Sequence, residues 1–372
     1  MSRADRRELE RRLREAPIAD EAGAEERAWA VIRAAHEERA PVPRRPPVRG
    51  IAIAAGAAVL ALAVGLSPAG AKVADFVGEV VGIGATDPEP GIGRLPAPGE
   101  ILVESGDGAW IVRADGSKRR LGDYGEATWS PHGRYVAATD GRQLVALDPQ
   151  GEVRWTITAP REVRDPRWSG TDVDTRIAYR SGGDLWVVAG DGIGARRLAR
   201  GVARVAPAWR PPPDAKLGPA GPFHVVAYRE RSGRVQAIDA DTGQRVPVTA
   251  PDRAAVPPLG GWPEGTGGPV RRPGGGVAEL RRGDGATVLV IRTASGAKRL
   301  SGMPPGRITG PSWSPDGRWV AVGWPDGDQW LLIRADTPRR IVAFGDISRQ
   351  FDPGGGGSGP FPRISGWILP ER

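Results

Sequence analysis

Histidine and paired carboxylates are the residues of this chain best suited to acid–base or metal chemistry. The sequence has three histidines and no cysteine, which excludes disulfides and thiolate metal sites. His36 is followed by Glu37, but no second histidine follows at helical spacing, so a His-Glu-x-x-His zinc motif is absent. His132 and His224 are too few for a three-histidine metal centre. We expect His132 in a surface turn and His224 among the core residues of a strand.

Two pairs of carboxylates lie two residues apart, Asp172/Asp174 and Asp239/Asp241. Calcium sites need further oxygen ligands at fixed spacing, and none follows either pair, so we expect solvated strand or turn residues. The sequence also lacks a Gly-x-Ser-x-Gly elbow and a Walker loop. We therefore predict no catalytic residue, no cofactor-binding residue and no metal ligand, and expect that the protein is not an enzyme.

The thirteen tryptophans are organised by a repeated motif. Trp313-Ser-Pro-Asp-Gly-Arg-Trp-Val-Ala-Val322 recurs as Trp129-Ser-Pro-His-Gly-Arg-Tyr-Val-Ala-Ala138. Pro315 presets φ for a turn, Asp316 can bond neighbouring backbone amides and Gly317 supplies a left-handed conformation. The motif thus predicts a tight hairpin between two apolar strands, with its tryptophans in the core rather than on a sugar-binding platform.

Degenerate copies of this motif occur near Trp168, Trp209 and Trp262. The resulting unit of about 40 residues, with four short strands, has the size of a propeller blade. The repeats resemble those of TolB-like and WD-repeat-like bacterial β-propellers, from about Ile101 to Leu369. That resemblance implies blades in which the turn joins the innermost strand to the second.

The strand pattern indicates an all-β, six-bladed β-propeller over residues 100–372. Blade one lacks a first strand, whereas the C-terminal segment 364–369 is a spare strand that carries Trp367. Pairing the two closes the ring and removes its open edges. Residues 211–222 should enlarge the first turn of blade four. The longest loops, 250–275 and 345–363, are candidates for binding, although the glycine run of the second is more typical of flexible filler.

The first hundred residues suggest a membrane anchor. Residues 1–40 are charged and contain two short helical patterns, 41–49 form a basic proline-rich linker, and 50–71 carry no charge. These 22 residues would span about 33 Å as a helix, close to the bilayer core. Arginines at 39, 44, 45 and 49 place the N-terminus in the cytoplasm. Residues 72–99 should form a juxtamembrane helix and a Pro/Gly tether.

An alternative to an uncleaved anchor is cleavage after Ala71, since Ala69-Gly-Ala71 has the form of a signal-peptidase site. The 49 residues ahead of the apolar run favour the anchor. The propeller is then expected outside the cytoplasm, in the cell envelope.

Function has to be inferred from this layout. The net charge of +8 comes from scattered arginines, which makes nucleic acid an improbable partner. We expect a non-catalytic module whose propeller binds a protein or an envelope component. One alternative is a transmembrane signalling regulator, anti-sigma-like, whose N-terminal tail binds a cytosolic regulator. A second is an extracytoplasmic hydrolase or lyase, which requires acidic or histidine side chains at the channel mouth.

Overall fold

The computed structural model describes residues 89–370, apart from 91, 172–173, 212–222, 263–266, 274, 284–285, 294–295, 297, 339 and 353–358. The predicted tail helices, linker, membrane helix and juxtamembrane helix all lie outside the described residues. Within the part that the structure describes, none of the helices has the length and apolar character needed to span a bilayer.

The described chain forms six sheets, in which every pairing is antiparallel except that of the added strand β1 with β24. In chain order, the strands are β1 (Glu89–Pro90), β2 (Glu100–Ser105), β3 (Gly108–Val112), β4 (Lys118–Gly122), β5 (Ala127–Trp129), β6 (Val136–Asp140), β7 (Gln143–Leu147), β8 (Val153–Thr158), β9 (Val163–Gly170), β10 (Thr175–Ser181), β11 (Asp184–Ala189), β12 (Arg196–Arg200), β13 (Ala208–Trp209), β14 (Val225–Arg229), β15 (Val235–Asp239), β16 (Arg245–Val246), β17 (Gly267–Arg271), β18 (Gly276–Gly283), β19 (Ala286–Thr293), β20 (Lys298–Gly302), β21 (Thr309–Trp313), β22 (Trp319–Trp324), β23 (Gln329–Arg334), β24 (Ile341–Gly345) and β25 (Arg363–Ile368). Helix α1 is Ala250–Ala255, α2 is Ile347–Gln350, and Pro325–Gly327 is a 3-10 turn.

The sheets are the blades of a six-bladed propeller, as the sequence predicts. From the centre outwards they run β25-β2-β3-β4, β5 to β8, β9 to β12, β13 to β16, β17 to β20 and β21 to β24. The innermost strands contact one another around the ring, except that α1 lies between β13 and β17. The C-terminal strand completes blade one, with Trp367 opposite Ile101 and Gly366 opposite Leu102. The chain ends therefore meet within one sheet.

Buried apolar side chains fill the seams between blades rather than the centre of the ring. Among the described residues, five apolar clusters occupy the seams between blades one and two, two and three, three and four, five and six, and six and one. At the seam between blades four and five, α1 contacts strands of both. This seam is therefore bridged by a helix.

The repeated turn forms as expected in blades two and six. Gly133 and Gly317 have φ values of +67° and +64°, in the left-handed region that glycine tolerates. Asp316 Oδ1 accepts a hydrogen bond from the Arg318 amide at 3.0 Å. These contacts set the direction of the second strand of each blade.

Blade five departs from the prediction. Trp262 is not on its first strand: it lies in a bend and is 38% exposed, and the innermost strand is β17, which has no aromatic residue. Arg271 occupies the corresponding place, since it directly precedes Arg272, whose backbone turn bonds match those of Ser314. The carbonyl of the residue before it, Val270, accepts the indole N–H of Trp313 at 3.0 Å. The inner strand of blade five is thus linked to the tryptophan of blade six.

The two segments expected to be long loops are partly ordered structure. The first, 250–275, contains α1 and β17, and the second, 345–363, contains α2. Most of the glycine run, 353–358, is outside the described residues. The described irregular parts of these segments are therefore shorter than the sequence predicts.

The described end of the predicted tether, residues 92–99, packs against the propeller. Leu95 and Ala97 are buried in the cluster between blades one and six. The Ile92 amide donates to Gln350 Oε1 at 2.9 Å. Ahead of them, β1 pairs in parallel with β24 as a fifth strand of blade six. The folded unit thus begins before residue 100.

Candidate functional site

Acidic and basic side chains meet at one end of the central channel, where the inner strands of blades one to three begin. Arg363 opens β25, Glu126 directly precedes β5 and Asp165 lies near the start of β9. Glu104 on β2 and Arg180 on β10 complete this group, which we call the mouth network. Because the inner strands of these blades begin at the same end of the channel, residues from three blades are brought to one rim.

Ion pairs hold the mouth network together. Glu104 Oε2 accepts from Arg363 Nε at 3.1 Å, and its Oε1 accepts from the Ala127 amide at 2.9 Å. Asp165 Oδ2 accepts from Arg180 Nε at 2.6 Å. The carboxylate of Glu104 raises the pKa of Arg363 and keeps it charged. These contacts join blade one to blade two and fix the shape of the rim.

Glu126 is a carboxylate of the network whose pKa is raised above its ordinary value. Burial raises its pKa, and the neighbouring Asp165 and Glu104 raise it further. Its Oε2 accepts the Asp165 amide, and Oε1 lies 3.8 Å from Arg164 Nη1. A carboxyl group in this setting gives up its proton less readily than an exposed glutamate. Catalysis would also need a free partner, but Asp165 is already bound to Arg180.

Asp165 reaches its place through an unusual backbone conformation. Its φ is +52°, in the left-handed region that only a few non-glycine residues adopt. The register of β9 against β10 shifts at this point, between the Ala178 and Arg180 pairings, which is a β-bulge. The bulge directs the carboxylate of Asp165 towards Arg180 and its amide towards Glu126. A local backbone irregularity therefore builds the centre of the rim.

Three of the residues considered for chemistry in the sequence meet at the opposite face, between blades three and four. His224 Nδ1 lies 2.8 Å from Asp241 Oδ2 and 4.0 Å from Asp174 Oδ2. Arg176 contacts both carboxylates, with its Nε 3.1 Å from Asp241 Oδ1. Asp172 lies outside the described residues. One member of each carboxylate pair is thus an ion-pair partner.

This cluster has the polar contacts of an Asp–His dyad but not its accessibility. His224 is 1% exposed, and its Nε2 is buried without a hydrogen-bond partner among the described residues. The imidazole packs edge-on against Trp209 and Phe223. Because a general base must reach its substrate, a fully enclosed imidazole is a packing residue. His224 is buried as the sequence predicts, but it lies in a bend directly before β14 rather than on the strand itself.

No group of three or more potential ligands suited to a metal ion is found in the described ranges. Arg176 lies between Asp174 and Asp241 and supplies the positive charge there. Asp239 instead closes its turn, accepting the Asp241 amide at 2.9 Å and the Thr242 hydroxyl at 2.6 Å. His132 lies in the turn of blade two.

The inner-strand tryptophans pack between blades. Trp209 donates its indole N–H to the Arg167 carbonyl of blade three at 2.7 Å. Trp129 lies against Gly366 of blade one, where an added Cβ would come within 2.9 Å of the ring. These rings occupy seams, which leaves them unsuited to stacking with a sugar.

Sequence reasoning missed the mouth network. Its members are spread from Glu104 to Arg363, and only ring closure brings them together. A partial signal was present: Glu126 and Arg363 each stand directly before a predicted inner strand, so both had to lie at the same end of the channel.

The family model described as the outer membrane protein assembly factor BamB matches residues 100–247. A search of curated proteins finds no match. Among solved structures, TolB from Acinetobacter baumannii is similar with 15% identity and a TM-score of 0.47, covering 81% of this chain and 72% of that one.

Two further similar structures are enzymes by name. Virginiamycin B lyase from Staphylococcus aureus has 12% identity and a TM-score of 0.38, covering 66% of this chain and 87% of that one. Hydrazine synthase from Kuenenia stuttgartiensis has 13% identity and a TM-score of 0.37, covering 68% and 81%. The BamB family model spans blades one to four of this propeller, fewer than half of the residues of the chain.

Proposed function

We propose that this chain is a membrane-anchored, extracytoplasmic propeller that binds another protein without catalysing a reaction. The observation that carries the proposal is the mouth network. Its carboxylates are engaged by arginines and backbone amides of their own or neighbouring blades. Such a rim is a rigid, pre-organised polar surface, which favours recognition over chemistry.

The apolar run 50–71 and the arginines ahead of it support the anchor and the orientation. In that arrangement residues 1–49 are cytoplasmic and the propeller is in the envelope. The similarity to the BamB family model supports a protein-interaction role for the propeller.

Site-specific photo-crosslinking in intact membranes tests the proposal. A benzophenone amino acid is placed at Arg164, which is about half exposed beside Glu126, and separately at Arg318, which is exposed in the turn of blade six on the opposite face. We expect a discrete crosslinked protein from position 164 and none from position 318. If neither position yields an adduct, or both yield the same one, the mouth is not the binding surface.

A signalling role is a second candidate, favoured by β1. This strand follows the predicted juxtamembrane helix closely and pairs with the outer strand of blade six. A partner whose binding altered the conformation of blade six would therefore also affect the segment that leads to the membrane. The N-terminal tail would then be the effector that binds a cytosolic regulator.

The tail itself provides the test of this second role. Residues 1–49, expressed as a fusion, should capture a cytosolic regulator, and replacing Trp29 and Ile32 by Asp should abolish capture. If the fusion and the Asp variant recover the same proteins, the tail is not an effector.

A further inference from the structure

A groove of about 660 Å³ runs along the outer side of blade four. It is formed by the start of β15, by β16 and by α1. Its lining includes four arginines: Arg229, Arg234, Arg245 and Arg253. Its volume is in the range typical of binding sites, and it is open to solvent along its length.

The groove carries more positive than negative charge. Arg234 and Arg245 share a single carboxylate, that of Glu230, at 3.4 and 3.6 Å, and both side chains are largely exposed. Arg253 is exposed on α1 and has no carboxylate partner among the described residues. Guanidinium groups in this state are available to pair with carboxylates of a ligand.

Arg229 fixes the wall of the groove. Its guanidinium donates to the Pro257 carbonyl at 2.6 Å, to Gly233 at 2.5 Å and to Val256 at 3.2 Å. These bonds attach the C-terminal end of α1 to blade four. The charge of Arg229 is thus held in place by carbonyl oxygens, and none of the described carboxylates forms an ion pair with it.

The floor of the groove is an unfinished sheet edge. The pairing of β15 with β16 covers Ala237 and Ile238 and stops at Val246. Pro247 follows and has no amide N–H to continue the ladder. Given the alternation of hydrogen bonds along β15, the backbone N–H and C=O of Val235 point to this edge. An edge of this kind accepts an additional strand.

The chain itself adds a strand to an outer edge elsewhere. At blade six, β1 pairs in parallel with β24, Glu89 opposite Phe344 and Pro90 opposite Gly345. The added segment is extended and contains an acidic residue. Blade four offers a comparable edge, but with a short outer strand and arginines beside it.

We propose that the blade-four groove binds an extended acidic peptide segment of a partner protein, which adds to β15 as a strand and pairs its carboxylates with Arg234, Arg245 and Arg253. This proposal rests on the proposed function as a protein-binding propeller and names a partner chemistry for it. The N–H and C=O of Val235, which have no backbone partner in the described part of the chain, favour a peptide over a phosphate or nucleic acid, neither of which completes a strand ladder.

Fluorescence anisotropy with the full-length protein in detergent tests the proposal. The probe is a fluorescein-labelled peptide of alternating Glu and Val, compared with the same peptide carrying Gln for Glu. We expect the Glu peptide to bind, its affinity to fall as salt is raised, and the Gln peptide to bind at least about tenfold more weakly. Equal binding of both peptides would overturn the proposal.

Charge reversal locates the site. The double variant Arg245→Glu/Arg253→Glu should weaken binding of the Glu peptide at least about tenfold. The matched control is Arg318→Glu/Arg349→Glu, which changes net charge equally at two exposed arginines near blade six and should leave affinity within about twofold. If the two double variants weaken binding equally, the effect is one of overall charge and the groove is not the site.

Two further probes separate a strand from a simple anion. A Glu peptide methylated on alternate backbone nitrogens should lose binding, because it cannot donate to β15; retained affinity would contradict strand addition. Tripolyphosphate should compete only weakly, and tighter binding of tripolyphosphate than of the peptide would make this a phosphate site. Both results are independent of the crosslinking at position 164, so either proposal can fail alone.

Discussion

At the scale of single residues, the repeated turn depends on a serine whose role the motif did not reveal. Ser314 is 0% exposed, and its hydroxyl accepts the Trp319 amide at 2.9 Å and donates to Asp316 Oδ1 at 2.5 Å. Ser130 accepts the Tyr135 amide at 3.0 Å in the same way. The proline and glycine shape the turn, while the serine accepts the backbone amide at the start of β22 in blade six and just before β6 in blade two.

Replacing Ser314 by Ala should therefore destabilise the propeller by about 1–3 kcal/mol, because it leaves a buried amide without an acceptor. Urea unfolding followed by tryptophan fluorescence measures the change. Ser130→Ala should have a similar effect, whereas Ser232→Ala, at an exposed hydroxyl, should change the free energy of unfolding by less than about 0.5 kcal/mol. Equal, small effects at all three positions would show that the hydroxyl is dispensable.

Glu126 gives the mouth network a pH dependence. Its pKa in the folded protein is raised by burial and by Asp165, so the folded state binds a proton more tightly than the unfolded state, whose pKa is near 4.5. The sign follows from linkage: as pH rises from about 4.5 through the folded pKa, the charged carboxylate forms at a cost and stability is lost.

Glu126→Gln should remove that loss, since the amide oxygen still accepts the Asp165 amide and carries no charge. Relative to the wild-type protein, the variant should gain stability as pH rises through this window, in urea unfolding measured from pH 4 to pH 8. A stability difference that does not change with pH would show that Glu126 ionises normally.

At the scale of elements, α1 shows how a local signal can be present and still be overlooked. The sequence Thr249-Ala-Pro-Asp252 has the spacing of a capping box, with proline in the first turn. Inside a segment rich in proline and glycine, the same residues were predicted as loop. The helix is too short to persist alone, and it forms because Asp252 also binds Arg210 and because α1 packs between blades four and five.

Asp252→Asn should disrupt this element. Burial raises the pKa of Asp252, but hydrogen bonds from Arg210 and Thr249 outweigh it and hold the pKa below its ordinary value of 3.8. The stabilisation is thus present above pH 3.8 and is lost as the pH falls through the folded pKa. At neutral pH we expect a loss of about 3 kcal/mol or less, because Asp252 is buried while Arg210 keeps some contact with water.

Chemical unfolding at pH 7 and at pH 3 measures this effect, and the gap between variant and wild type should narrow in acid. Asp326→Asn is the matched control, since Asp326 also pairs with an arginine, Arg307, but at the surface. It should have a much smaller effect. An equal loss in both variants would contradict a structural role for α1.

Blade five shows which strands can be predicted from the sequence pattern and which cannot. The strands β18 and β19 follow from their β-branched residues, and the number of blades follows from the repeat length. The position of β17 cannot be predicted in this way, because the strand contains glycine and proline and no tryptophan. Its place is set by the indole of Trp313 from the next blade, a contact between strands that are over forty residues apart.

At the scale of the whole molecule, function depends on closure of the ring. Arg363 and Glu104 are 259 positions apart in the sequence and adjacent in blade one. The spare C-terminal strand that carries Trp367 could be matched to blade one because only that blade lacked a predicted first strand. The ion pairs at the mouth could not be foreseen, since side-chain pairing across seams depends on register and on the bulge at Asp165.

Closure should also decide stability. Removing residues 363–372 exposes the edge of β2, takes Arg363 from Glu104, and removes Ile364 and Trp367 from the cluster between blades one and six. Large-to-small changes at buried positions of this kind cost about 2–5 kcal/mol each, and a domain is stable by only about 5–15 kcal/mol. We therefore expect the truncated protein to lose cooperative unfolding altogether.

A synthetic peptide of residues 361–370, added to the truncated protein, should restore the cooperative thermal transition, with a midpoint that rises with peptide concentration because the peptide binds only the folded state. The same peptide with Ala in place of Trp367 should restore it at least about tenfold less effectively, given a cost of about 3–5 kcal/mol for that side chain. If the truncated protein unfolds like the intact one, the propeller is held by its seams alone and its ends need not meet.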